Sequence, residues 1–336
     1  MNFKSAIIPN LEPRFQEPEG WRWHSFKRNE REIRFGSVFP KDKVPDAVVI
    51  GLGGLSEFAE KYFEIAHWCL EHNLAFWIMD WYGQGRSGRY LDNPHKRHAV
   101  DFDEDVEDLH YFYMEYVKHA CVHPDVGRIP VAMLAHSMGG NIGLRFLHKY
   151  PDIFECAAFS APMFGVKALS VIPKPLRLLA TSSLNRLAGE SYAYGHAEWR
   201  EDSRPAPGDD LFSTDPFRGA IHNAWCLADP ELQVGHVTYG WVHHAAQSCD
   251  YIQRVKFLKS IQTHCLIGMA GDEHFVDNAA VQHGAKTLEN AKLIEYPKAK
   301  HELLMEKNEI RDDFLNHFYI LIKENIIERP EALKPF

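Results

Sequence analysis

Four short apolar runs constrain this chain more than any other feature. "DAVVIGLGG" (46–54), "LAFWIMD" (74–80), "IPVAMLAHS" (129–137) and "FECAAFSAP" (154–162) are apolar almost throughout. Runs of that length, bounded by turn signals, read as strands buried on both faces. Between them, 57–72, 101–119 and 138–150 carry helical periodicity, the last stopped by Pro151. Strands alternating with helices imply a mainly parallel sheet with helices on both faces. Ahead of them, 21–28 and 31–39 read as a hairpin turning at Asn29-Glu30. The alternation fails from about 163 to 245, a stretch rich in Pro, Trp and His. It resumes with a helix near 246–258, a strand at 263–271, a helix at 277–289, a strand at 291–297 and a long helix at 302–325. The expected organisation is a core of residues 1–162 and 246–336 with an inserted, mostly helical cap at 163–245.

Composition narrows the function classes. The 336 residues are 45% hydrophobic, enough for a sizeable core. A net charge of −9, from 37 basic and 46 acidic residues, gives no general attraction to nucleic acid or to anionic lipid. The first twenty residues lack the basic start and apolar run of a signal peptide, and no stretch nears about 18 consecutive apolar residues. The six cysteines are scattered with no C-x-x-C, which reads as reduced thiols in a cytoplasmic protein. His119-x-Cys121-x-His123 and the pair His95 and His98 match no zinc spacing, so no metal is expected.

Two glycine-rich turns are candidates for chemistry. "VVIGLGGLSE" could open a dinucleotide turn, but Ser56 stands where a third glycine or alanine is needed, and Asp80 lies too far along. The rival reading is a loop whose backbone N–H binds an oxyanion. "MLAHSMGGN" sets Ser137 between a buried strand and a helix that begins at once, as a nucleophile elbow does. Small residues are needed there. Gly139 and Gly140 supply them, while Ala135 adds one methyl where the G-x-S-x-G pattern has its first glycine. A serine needs a base and the base an orienting acid, in the chain order serine, acid, histidine. Downstream, "MAGDEHFVDN" offers Asp272, Glu273 and Asp277, and "YPKAKHELLME" offers His301 after the last strand.

These segments resemble the lysophospholipase and monoacylglycerol lipase branch of the α/β-hydrolases, especially its bacterial lysophospholipase-like members. The resemblance spans roughly residues 20–325. It rests on "EFAEKYFE", "DWYGQGRSGR", "HAVDF", "LAHSMGGN", "GDEHFVDN" and "KHELLME", in the family's order. It implies Ser137 as nucleophile, His301 as general base, and Met138 as the source of one oxyanion N–H. Counting back from Tyr62 assigns the other to Leu55, with Leu52 as runner-up. The acid is Glu273, four residues before Asp277, with the adjacent Asp272 as alternative. The implied reaction is hydrolysis of monoacyl lipid esters through an acyl-enzyme, with no cofactor. Rival functions on the same fold are a small-ester carboxylesterase, an iminopeptidase-like peptidase, an acyltransferase and a non-catalytic binding protein. In the cap, "VIPKPLRLLATSSLNRLAG" is amphipathic. Such a face is usually buried; here the alternative is transient contact with a membrane surface. Trp199, Trp225, Trp241, Trp81 and Tyr82 are expected to pack rather than bind.

Overall fold

Burial on both faces dictates where the strands lie. β1 (Arg22–Arg28), β2 (Arg31–Val38), β3 (Ala47–Leu52), β4 (Leu74–Met79), β5 (Val131–His136), β6 (Cys156–Ser160), β7 (His264–Ala270) and β8 (Ala291–Tyr296) form one sheet. Their spatial order is β1-β2-β4-β3-β5-β6-β7-β8. β1 and β2 pair antiparallel, as do β2 and β4; all other neighbours are parallel. Every residue of β3, β4, β5 and β6 is buried, as their unbroken apolar runs require. β1 and β8 are the edge strands, and β8 is the parallel edge. Lys292 and Glu295 are exposed on it, and charge of this kind blunts an open edge. The computed structural model describes residues 4–195, 197–204 and 210–329.

The longer helices are α1 (Phe63–Glu71), α2 (Phe102–Phe112), α3 (Met138–Lys149), α4 (Lys174–Ala188), α5 (Pro216–Ala228), α6 (Tyr239–Ile252), α7 (Asn278–Thr287) and α8 (Asn308–Ile322). Alternate residues of β3 feed two cores. Val48 and Ile50 pack with Phe102 and Leu109 of α2 and Ile142 of α3. Ala47 and Val49 pack with Phe63 of α1 and Phe314 and Phe318 of α8. The sheet is thus covered on both faces, as its pattern predicts.

Four boundaries differ from the sequence reading. The helix expected over 57–72 begins at Phe63, and a 3-10 turn at Ala59–Tyr62 precedes it. The helix expected over 101–119 is α-helical to Phe112 and widens into a π-turn at Tyr113–Val117. The helix expected near 246–258 begins at Tyr239, where the Thr238 hydroxyl caps it by accepting the Trp241 N–H. The 245/246 division between cap and core therefore falls inside α6. The helix expected from 302 begins at Asn308, and a 3-10 turn at Leu303–Met305 precedes it.

Helix α4 is turned the unexpected way. Its polar side faces α6: Thr181 shares a hydrogen bond with His243 Nδ1 at 3.2 Å, and Arg177 pairs with Asp250. Its apolar side faces out, leaving Leu176 58%, Leu179 66% and Leu187 84% exposed. No helix among the described residues is long and apolar enough to cross a membrane.

Candidate active site

Ser137 joins the end of β5 to the start of α3. Its backbone sits at φ 48° and ψ −115°, a region that side-chain-bearing residues avoid at a cost of about 1–3 kcal/mol. Neighbouring strands hold it there. The Ser137 N–H donates to Ser160 O at 3.0 Å, and Ser137 O accepts the Met163 N–H at 2.9 Å. The helix can start so close to the sheet only because Gly139 has no side chain. A Cβ at Gly139 would lie 2.3 Å from Leu52 O and 2.6 Å from Gly53 O. Ala135, the departure from the glycine pattern, is fully buried in β5 without disturbing that contact.

The structure brings Ser137, His301 and Glu273 into one chain of hydrogen bonds. Ser137 Oγ and His301 Nε2 are 2.9 Å apart, and His301 Nδ1 and Glu273 Oε2 are 2.7 Å apart. All three residues are buried. Glu273 Oε1 accepts the N–H groups of His274 and Phe275, both at 2.8 Å, and of Val276 at 3.3 Å. Burial pushes the Glu273 carboxyl up. The His301 charge and hydrogen bond, helped by these amides, outweigh it, and the carboxyl titrates below its ordinary range. Asp272 is not brought into the chain. Its side chain is turned outward, with Oδ1 3.0 Å from His274 Nε2. Asp277 caps α7 by accepting the Ala279 N–H. Phe275 packs beside the His301 ring, and Phe212 stacks on Phe275 at 4.6 Å.

The early glycine loop lies against Ser137. A Cβ on Gly54 would be 3.3 Å from Ser137 Cβ. Leu55 follows directly, while Leu52 lies in β3, paired with Ala135. Met138 is the first residue of α3, so its N–H has no acceptor within the helix. Trp81 packs as expected and also holds the loop, its Nε1–H donating to Gly53 O at 2.8 Å. Asp80 is engaged by Arg34 Nε at 2.7 Å and by the Ala59 N–H at 2.8 Å.

Matched against known proteins, residues 43–308 fit the family model described as serine aminopeptidase, S33. The chain belongs to the S33 serine aminopeptidase family. Among relatives of this S33 chain, Escherichia coli lysophospholipase L2 is 29% identical over 274 residues, 79% of this chain and 77% of that one. A probable lysophospholipase L2 of Haemophilus influenzae is 25% identical over 322 residues, 94% of this chain and 96% of that one. A soluble variant of Saccharomyces cerevisiae monoglyceride lipase shares the fold, with a TM-score of 0.71 at 15% identity over 95% of this chain and 99% of that one. The α/β-hydrolase resemblance and fold class read from the motifs are therefore right.

Behind the triad of this S33 chain lies a buried charge cluster that sequence reasoning missed. Lys61 Nζ reaches Glu57 Oε1 and Glu302 Oε1, each at 2.6 Å, and Arg204 reaches Glu302 at 2.8 Å. Burial pushes both carboxyls up, but the cations prevail: Lys61 holds Glu57 below its ordinary range, and Arg204 and Lys61 hold Glu302 well below it. Burial lowers His136 to about 4, against the pull of Glu57. It is neutral near pH 7 and donates Nδ1–H to Ser160 O at 3.0 Å. Ligand atoms of Glu57, His136 and Glu302 lie within 4.8 Å of one another. The Lys61 ammonium and the Arg204 guanidinium together balance the two carboxylates there, so they are not a set awaiting a cation. The i,i+4 pair Glu57 and Lys61 in "EFAEKY" was the available signal.

Proposed function

We propose that this chain is a serine ester hydrolase that cleaves monoacyl lipids, lysophospholipid or monoacylglycerol, through an acyl-enzyme on Ser137. One observation carries the reading: the unbroken hydrogen-bonded chain Ser137–His301–Glu273 beneath a strained elbow. His301 Nε2 takes the Ser137 proton as Oγ attacks the ester carbonyl. The N–H groups of Leu55 and Met138 receive the oxyanion. Glu273 holds His301 with Nδ1–H toward it and stabilises the imidazolium. The departing alcohol leaves with that proton. Water, deprotonated by His301, then releases the fatty acid. These steps use side chains, backbone and water alone.

The described residues between 163 and the start of α6 at Tyr239 serve as the cap over this site. The outward apolar side of α4 supports transient contact with a membrane surface, since its stripe is wet in the free protein. The six buried cysteines, with no disulfide among the described residues, support a cytoplasmic setting.

The test is intact mass after fluorophosphonate treatment, with hydrolysis assays beside it. Wild type is expected to gain one adduct and to release fatty acid from monoacyl lipids. Ser137→Ala is expected to do neither. Equal labelling of both would remove Ser137 as nucleophile, and faster cleavage of N-terminal amides than of esters would move the chain to the peptidases. Replacing Leu176, Leu179 and Leu187 by aspartate is expected to cut activity on vesicle-borne substrate at least tenfold while sparing a soluble short-chain ester.

A further inference from the structure

The backbone of residues 54–57 is almost fully committed. The Gly54 N–H donates to Glu57 Oε2 at 2.5 Å, the Ser56 N–H to Gln84 Oε1 at 3.0 Å, and the Glu57 N–H to Gly54 O at 3.3 Å. Among the described residues, the Leu55 N–H alone of these four has no acceptor. That is the state an oxyanion donor needs before substrate arrives.

One side chain makes most of this arrangement. Gln84, 1% exposed, comes from the distant "WYGQGRSGR" loop. Its Nε2 donates to Gly54 O at 2.8 Å and to Glu57 O at 2.7 Å, while its Oε1 accepts from Ser56. One amide therefore grips the loop on both sides of Leu55. Flipping that amide would reverse every bond. Arg97 prevents it: its Nε donates to Gln84 Oε1 at 3.0 Å, and a guanidinium cannot accept.

Arg97 is itself unusual. It is 1% exposed, and no carboxylate lies within 4 Å among the described residues. Its other contacts are His98 O at 2.5 Å and Met138 Sδ at 3.7 Å. A buried cation without a carboxylate partner is costly to keep. This one touches the side chain of one proposed oxyanion residue and orients the amide that aims the other.

Resting on the acyl-enzyme reading above, we propose that Gln84 is the positioning residue of the oxyanion hole, aiming the Leu55 N–H, and that Arg97 fixes Gln84 in the orientation that does so. Neither touches the substrate. Both act on where two backbone donors point.

The experiment uses Gln84→Glu and Arg97→Lys, with sites counted by fluorophosphonate titration so that only folded enzyme is compared. Gln84→Glu keeps the size and the acceptor toward Ser56 and Arg97 but loses both bonds to carbonyls. It is expected to lower kcat 10- to 100-fold, below the roughly 10²–10³-fold of losing a donor outright. KM is expected to stay within about threefold. Affinity for a trifluoromethyl ketone, whose adduct carries the oxyanion, is expected to fall in parallel with kcat/KM. Arg97→Lys keeps the charge without the directed Nε–H, and a 3- to 10-fold loss with the same parallel is expected. Unchanged kcat per titrated site in Gln84→Glu would overturn the proposal, as would a kcat loss without loss of ketone affinity. An active, labelled wild type beside an inert Ser137→Ala keeps the underlying reading intact in either case. Failure of that pair instead sinks the reading itself.

Discussion

Glu273 and Asp272 are neighbours of like charge, yet the fold gives them opposite fates. Glu273 turns inward, spends one oxygen on three backbone N–H groups and offers the other to His301. Asp272 meets solvent and His274. Glu273→Gln is expected to lower kcat about 10⁴-fold, because the amide favours the wrong histidine tautomer. Asp272→Asn is expected to leave kcat within about twofold. Steady-state rates on a short-chain ester decide the comparison. Ser137 and His301 were legible because strand ends and chain order single them out. The choice of acid was not legible from residue type, since it depends on which of two adjacent side chains the turn after β7 directs inward. Gln84 and Arg97 were less visible still: Gln84 meets the loop across 27 or more positions, Arg97 acts on it only through Gln84, and no local pattern records such contacts.

At the scale of elements, β3, β4, β5 and β6 were readable to within two residues, because burial on both faces leaves no alternative to an apolar run. Helix ends were poorly read. The start of α6 is hidden by His243 and His244 in the middle of its apolar pattern, and only the Thr238 cap marks it. The orientation of α4 was misjudged for a different reason: amphipathicity gives two faces but not which one meets the protein. The elbow yields a sharper prediction. Gly139→Ala drives a methyl into the backbone carbonyls of Leu52 and Gly53, and neither can move without shifting β3. A loss of about 2–4 kcal/mol, with an activity loss larger than the folded fraction explains, is expected in urea unfolding and per-site kinetics. At Gly143 the nearest atoms are the side-chain ends Met133 Sδ, at 2.7 Å, and Leu52 Cδ1. Those can swing aside, so Gly143→Ala is expected to cost about half as much or less.

For the whole molecule, the buried charges set the response to acid. Glu57, Glu273 and Glu302 all titrate below the ordinary carboxylate value of 4.5 in the folded protein. Their stabilisation is therefore complete above that value and is lost as pH falls below it toward their folded values. Denaturant midpoints measured from pH 7 to pH 3 are expected to stay level as far as these groups are concerned and then drop. Glu302→Gln is expected to be about 3–5 kcal/mol less stable at pH 7, with a shallower acid limb, because it takes the carboxylate from Arg204 and leaves Lys61 with Glu57 alone. The same cluster has a second consequence. Two carboxylates and two cations sum to zero behind His301, and mobile ions screen buried pairs far less than exposed ones. Added salt therefore leaves the charge balance beside His301 nearly unchanged, whatever it does to the charges on the surface.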